Sequence, residues 1–254
     1  MVLDTFRLDG KNALVTGSSR GLGAAIALGL AQAGANVGCH GRSADTRGTT
    51  EKVLQLGRKS FYLAGDMSDT EFYPALIGRT LEEFGSIDIL VNNAGTILRA
   101  PAVEYPQSDW DELIAVNLTA VFRLSQLAGA DMLKRGTKGK IVNIASLLSL
   151  QGGVFVPAYA AAKGGVAQLT KALANEWAAK GINVNAIAPG YMATDNTTAL
   201  RQDPQRSRQI LQRIPAGRWG EPNDIVGAAV FLCSSASEYV HGHLLLVDGG
   251  WMGR

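Results

Sequence analysis

The stretch "NALVTGSSRGLG" (residues 12–23) passes from a short apolar segment into a turn holding Gly17, Gly21 and Gly23. It then enters the leucine- and alanine-rich residues 22–33. A short apolar run bounded by turn residues reads as a buried strand, and a longer run with helical apolar spacing reads as an amphipathic helix. A second apolar run, "NVGCH" (36–40), follows at once. Strand, glycine turn, helix and strand open a parallel βαβ unit.

The rest of the chain repeats the alternation. "SFYLA" (60–64), "IDILVNN" (87–93), "KIVNIAS" (140–146), "INVNAIA" (182–188) and "HLLLVD" (243–248) read as further strands. They are nearly continuous in apolar residues, as parallel strands covered on both faces must be. Helical segments fill the gaps at 70–84, 109–134, 159–180 and 222–235. The pattern predicts an α/β fold of Rossmann type, a doubly wound parallel sheet of about seven strands flanked by helices. No linker or low-complexity run divides residues 1–254, so one domain is expected. The one irregular stretch is 190–215, with the polar middle "RQDPQRSRQ" (201–209). It follows a strand's carboxyl end, where it would lie over the ligand crevice as a substrate lid.

Composition narrows the function. Of 254 residues 46% are hydrophobic and 18% charged, which argues against disorder. Lys and Arg number 24 against 22 Asp and Glu, a net charge of +2 with no basic run, so no nucleic-acid partner is expected. No apolar run approaches the roughly 18 residues of a membrane span, and no membrane is expected. The N-terminus "MVLDTFRLDGK" carries two aspartates and no signal-peptide core, which suggests a cytoplasmic protein. Cys39 and Cys233 sit in apolar runs and read as inert thiols. Two cysteines and three histidines without paired spacing predict no metal site.

The glycine turn follows the first strand, so Gly17, Ser19, Arg20, Gly21, Leu22 and Gly23 are candidates to cradle a dinucleotide pyrophosphate. "NNAG" (92–95) ends the fourth strand at the same crevice and adds Asn93, Ala94 and Gly95. Asp66 and Met67 follow the third strand, and Pro189, Gly190, Met192 and Thr194 follow the sixth. An acid at the end of the second strand would accept from an adenosine 2′-hydroxyl and repel a 2′-phosphate. Here Gly41 and Arg42 stand in that place. Arg42 offers a charged fork for a phosphate, and Arg20 stands on the neighbouring turn, so NADP(H) is favoured with NAD(H) left open.

"YAAAK" (159–163) places Tyr159 and Lys163 on one helical face. A free tyrosine titrates near 10, too high for acid–base work at neutral pH. A nearby ammonium would favour the phenolate and lower that value. Ser146 lies 13 residues before Tyr159. "TGSSRGLG", "NNAG", Asn117 in "AVNLTAVF", Ser146 in "NIASLLS", "YAAAK", "APG" (188–190) and "VDGG" (247–250) come in the order found in the short-chain dehydrogenase/reductases, which the whole chain resembles. The resemblance implies Tyr159 as acid/base with Lys163 as its electrostatic partner and ribose ligand. It implies Ser146 on the reacting oxygen, Asn117 holding a relay water, and a homotetramer built on helices 109–134 and 159–180.

Within the family, "INVNAIAPGYMATDNT" (182–197), "RIPAGRWGEP" (213–222) and "LSLQGG" (148–153) are similar to enzymes that oxidise or reduce ring-opened sugar acids. A sugar acid needs a cation for its carboxylate and polar groups for its hydroxyls. Arg99, Ser146, Leu148, Gln151 and Arg218 are the candidates for that role. Two other readings stay open: a 3-oxoacyl-carrier-protein reductase, and a non-catalytic NADP-binding regulator. The C-terminal Trp251 and Met252 would be exposed unless a neighbour or the active-site rim covers them.

Overall fold

A computed structural model describes residues 1–45 and 47–254. In chain order its elements are β1 (Asn12–Val15), α1 (Gly21–Gln32), β2 (Asn36–Gly41), α2 (Thr49–Gln55), β3 (Ser60–Ala64), α3 (Phe72–Phe84) and β4 (Ile89–Asn92). Next come α4 (Gln107–Ile114), a π-helical turn (Ala115–Thr119), α5 (Ala120–Arg135), β5 (Gly139–Ile144), α6 (Pro157–Trp177) and β6 (Ile182–Pro189). The chain closes with α7 (Thr198–Gln202), α8 (Pro204–Arg213), α9 (Val226–Cys233) and β7 (Leu244–Val247).

All seven strands pair in parallel in the order β3-β2-β1-β4-β5-β6-β7. After β3 the chain crosses back to lay β4 beside β1, so the winding reverses between those two strands. Side chains along a strand alternate between faces. Ala13, Val15, Ile89 and Val91 accordingly pack with Ile26 and Leu30 of α1 and Leu232 of α9. Leu14, Leu90 and Ile141 pack on the other face with Leu76 of α3, Leu124 of α5 and Trp177 of α6. β1, β4, β5 and β6 are buried along their whole length, which is why their sequences are almost unbroken in apolar residues.

A buried polar chain pins the helices to the strand ends. Asn92 Nδ2 donates to Ser125 Oγ (3.0 Å) and Asn143 Oδ1 (2.9 Å), and Asn143 Nδ2 donates to Thr170 Oγ1 (2.9 Å). β4, β5, α5 and α6 are thereby registered at the edge where the crevice opens.

One expectation is corrected, and two further helices are of note. The polar stretch 190–215 is not irregular: it folds as α7 and α8, with Asp203 Oδ1 capping α8 by accepting from Gln205 N and Arg206 N, both at 3.0 Å. An Asp-Pro pair is a helix start, with the cap and the fixed φ in sequence. Residues 49–55 form α2, too short to stand out between Gly48 and Gly57. The helix Gln107–Arg135, continuous through its π turn, contains an 18-residue window of mean hydropathy 1.4, long and apolar enough to cross a membrane by composition. Ala120, Leu124, Ala128 and Met132 bury one side of it against the sheet, while Trp110 and Phe122 remain exposed.

Candidate active site

A cleft of about 670 Å³ opens above the carboxyl ends of the central strands. Its floor forms where the glycine turn meets the loop after β4. Gly17 has φ +64°, and a Cβ there would lie 2.8 Å from Ala94 Cα. A Cβ on Gly23 would lie 2.2 Å from Gly17 O and 2.4 Å from Asn93 Nδ2, so neither position accepts a side chain. Asn93 Nδ2 donates to Thr16 O (2.9 Å) and Gly17 O (3.0 Å). Thr16 Oγ1 accepts from the backbone N–H groups of Asn93 and Ala94, both at 3.0 Å. α1 begins at Gly21 with no side-chain cap, which leaves its first-turn N–H groups for an anion. Ser19, Leu22 and Gly95 line the same wall.

At the far end β2 stops at Gly41. A Cβ there would lie 2.2 Å from Tyr62 Oη and 2.9 Å from Ser19 Oγ. A side chain there would have to displace the Tyr62 hydroxyl and the Ser19 side chain. Arg42 follows, exposed on the cleft wall and without an ion pair among the described residues. Arg20 does not stand beside it as a free cation. Its Nη1 lies 3.2 Å from Asp195 Oδ2, an oxygen that Arg47 Nη2 also reaches at 2.9 Å. Asp66 and Met67 complete this end. Asp66 Oδ1 accepts from Ser68 N and Oγ, both at 2.8 Å, and those bonds hold its pKa below the usual range.

His40, which the sequence reading passed over, ties the two ends of this wall together. It is 2% exposed. Gly17 N donates to its Nδ1 (3.2 Å), and its Nε2 lies 3.0 Å from Gly65 O. Both contacts are met when the ring is neutral with its proton on Nε2. Burial pushes its pKa down to about 4.

At the chemical end α6 carries Tyr159 and Lys163 into the cleft. Lys163 is 4% exposed, donates from Nζ to Ile144 O (2.6 Å), and is pushed down to about 8 by burial. Tyr159 is half-buried, open on its cleft side. Burial raises its pKa, while a hydrogen bond with Ser146 and the charge of Arg99 pull it down. The Lys163 ammonium is turned to the end of β5 and stands 5.7 Å from the Tyr159 ring centroid, and burial is the larger influence. Ser146 Oγ accepts from Leu148 N (3.1 Å), which fixes the hydroxyl at the cleft edge.

Asn117 sits in the π turn, fully buried. Its Nδ2 donates to Thr96 O (3.0 Å) and Leu113 O (3.1 Å), and its Oδ1 accepts from Thr96 N (3.2 Å). The side chain thus clamps the loop after β4 to the helix. A π turn widens a helix locally, which lets a poor helix former reach sideways.

Pro189, Gly190, Met192 and Thr194 form the opposite wall, and Arg99, Leu148 and Gln151 lie nearer the chemistry. Arg218 is absent from the cleft, which corrects its expected role. It lines a separate cavity of about 260 Å³, where Nη1 and Nη2 meet the two oxygens of Asp224 at 2.6 and 2.9 Å. Asp224, held down to about 2 by that pair, neutralises it. Arg206 and Arg213 of α8 line the cleft instead, with Trp251, which the rim covers to 4% exposure. The signal for α8 was present in "RQDPQRSRQ" as the Asp203-Pro204 helix start.

Comparison with known proteins agrees with this geometry. A family model described as enoyl-(acyl carrier protein) reductase matches residues 17–252. The 2-dehydro-3-deoxy-D-gluconate 5-dehydrogenase of Dickeya dadantii is 52% identical over 255 residues, covering 100% of each chain. An Agrobacterium tumefaciens protein described as a 2-deoxy-D-gluconate 3-dehydrogenase, solved with bound NADP, is 55% identical with a TM-score of 0.92, over 98% of this chain and 99% of that one. A gluconate 5-dehydrogenase of Burkholderia cenocepacia, solved with NADP and tartrate, is 41% identical with a TM-score of 0.95, over 100% of both chains.

The buried His40 has a consequence for stability. Its pKa falls from the ordinary 6.5 to about 4 on folding. Between those values the unfolded chain binds a proton that the folded chain does not, so stability declines as pH falls through that window. Below about 4 this group adds no further change. Urea unfolding between pH 4 and 7 should show a steeper decline for the wild type than for His40→Asn. Parallel curves would mean that His40 does not titrate there.

Proposed function

The chain belongs to the short-chain dehydrogenase/reductase family, and from that premise we propose that it interconverts a ketone and a secondary alcohol on a sugar acid with NADP(H). The substrate is 2-dehydro-3-deoxy-D-gluconate at its 5-position or 2-deoxy-D-gluconate at its 3-position. The observation that carries this reading is the meeting of Ser146, Tyr159, Lys163 and Asn117 in one cleft, between a glycine cradle and an arginine-bearing helix. The relatives that share the whole length of the chain support the substrate.

The residues present fit a dinucleotide. Gly17 and Gly23 leave a cradle that a Cβ would fill, and α1 opens uncapped beside it. The first-turn N–H groups would hold the pyrophosphate, Arg42 the 2′-phosphate and Lys163 the ribose hydroxyls. Asn93, Ala94 and Gly95 would line its path, with Pro189, Gly190, Met192 and Thr194 against the nicotinamide. When bound, the nicotinamide supplies or accepts the hydride. Tyr159 gives a proton to the oxygen of the ketone being reduced, or takes one from the alcohol. The Ser146 hydroxyl donates a hydrogen bond to that same oxygen, where charge develops. Asn117 would hold a relay water through the backbone of its π turn, since its side chain is engaged by Thr96 and Leu113. α7 and α8 act as a lid that excludes water, and the Asp195 pairs to Arg20 and Arg47 lie at its hinge. The exposed Trp110 and Phe122 beside α5, and Leu246 on the edge strand β7, are covered in a homotetramer.

Tyr159→Phe should lower turnover at least about 10²–10⁴-fold while NADPH binding is kept. Because burial raises the phenol, wild-type alcohol oxidation should climb with rising pH, and ketone reduction should hold near neutrality and fall at high pH. Near-normal activity in Tyr159→Phe would exclude it as the proton donor. Assays with sugar acids and an acyl thioester separate the carrier-protein reading from the one proposed. Arg42→Ala should weaken NADPH binding by about 10- to 100-fold, the worth of one charged hydrogen bond to a phosphate, and barely change NADH. An equal loss with both cofactors would remove Arg42 from the 2′-phosphate. Hydrogen exchange across residues 198–213 should slow when cofactor and substrate are added, and no change would count against the lid. Light scattering at micromolar concentration should report four copies, and a stable monomer would contradict the assembly.

A further inference from the structure

Three arginines line the chemical end of the cleft: Arg99, Arg206 and Arg213. Among the described residues no acid lies within ion-pair distance of any of them, in contrast to Arg20 with Asp195 and Arg218 with Asp224. Arg206 donates from Nη1 to Gln209 Oε1 at 3.3 Å, a weak contact with its own helix. Arg99 bears on the Tyr159 phenol, so its charge serves the reacting end.

Arg213 is held differently. Its guanidinium carbon stands 4.1 Å from the ring centroid of Trp251. That ring is buried, packed with Leu147, Ile210 and Ile214, and tilted against Tyr191 at 4.6 Å. Its Nε1 donates to Gln151 Oε1 at 3.4 Å. Leu147 adjoins Ser146, and Gln151 lies on the loop that leads into α6 and Tyr159. The platform beneath Arg213 is therefore continuous with the catalytic residues. A guanidinium stacked by its face keeps the N–H groups of its edge free, and that edge matches the two oxygens of a carboxylate. Stacking also limits its rotamers before the ligand arrives, so less order is lost on binding.

We propose that Arg213, stacked on Trp251, binds the substrate carboxylate and sets the preference for sugar acids over neutral sugars. This rests on the sugar-acid reading given above. In such a substrate the reacting carbon lies two bonds (3-position) or four bonds (5-position) from the carboxylate carbon; Arg99 bears on the reacting end, and the stacked Arg213 is assigned the carboxylate. Arg213 ends α8, so the carboxylate also gives the lid a reason to close.

The test uses the full-length enzyme with 2-deoxy-D-gluconate and with its uncharged amide, 2-deoxy-D-gluconamide. The wild type should favour the acid. Arg213→Gln should raise KM for the acid about 10- to 100-fold, the loss expected for one charged bidentate contact, with kcat little changed. kcat/KM for the amide and the Kd for NADPH should stay near wild type, so the preference for the acid disappears. Arg213→Lys should fall between, because it keeps the charge and loses the planar fork. An unchanged KM for the acid, or an equal loss with acid and amide, would overturn the assignment. A wild type that turns over acid and amide equally would overturn the sugar-acid reading itself, whereas a discriminating wild type with an equally discriminating Arg213→Gln would overturn only the role of Arg213.

Discussion

The site depends on one close approach. The carbonyl of Gly17, the side chain of Asn93 and the backbone at Gly23 meet with no room for a Cβ between them. Thr16 Oγ1 and Asn93 Nδ2 complete the contact with four hydrogen bonds across β1 and β4, the two strands at which the winding reverses. That contact brings the N-terminus of α1 to the mouth of the crevice and sets the loop after β4 against it. A methyl group at either glycine would push the two walls apart by more than a hydrogen bond tolerates.

From that floor, buried polar side chains carry the geometry outward. Asn117 clamps the loop at Thr96, Asn92 and Asn143 tie α5 and α6 to the strand ends, and His40 joins the glycine turn to Gly65. Each is buried, and a buried polar group without a partner is costly, so these contacts specify one arrangement and not merely a compact one. The catalytic electrostatics follow the same logic. Lys163 is drawn into the interior and bound to Ile144 O, where burial depresses its pKa. Tyr159 stays open to the cleft, and Ser146 and Arg99 act against the upward push of burial. In the role proposed for it, the phenol is thus kept as an acid until charge develops on a substrate oxygen beside it.

The arginines are sorted by their partners. Arg218 is neutralised by Asp224 outside the cleft, and Arg20 and Arg47 share Asp195 just before α7. Arg42 is left at the β2 end of the cleft and Arg213 at the end with Tyr159, one with no ion pair among the described residues and the other oriented by an indole. A net charge of +2 conceals this sorting, since it sums over pairs and unpaired groups alike.

Much was legible in the order of the residues. Apolar-rich runs marked all seven strands, most continuously in those covered on both faces. The glycine spacing, the Ser146 to Tyr159 interval and the four-residue step to Lys163 are local patterns, and local patterns survive in a linear sequence. Boundaries shifted by up to four residues, where the ends of α6 and α9 tighten into 3-10 turns. What the sequence alone could not decide was which charges meet. Arg218 and Arg213 are five residues apart and look equally apt for a carboxylate, yet one faces Asp224 and the other Trp251. The direction of the Lys163 ammonium, the filling of the space at Gly41 by Tyr62 and the bridging role of His40 all depend on residues distant in the chain. Secondary structure follows from neighbours in sequence, whereas the pairing and burial of charge follow from neighbours in space.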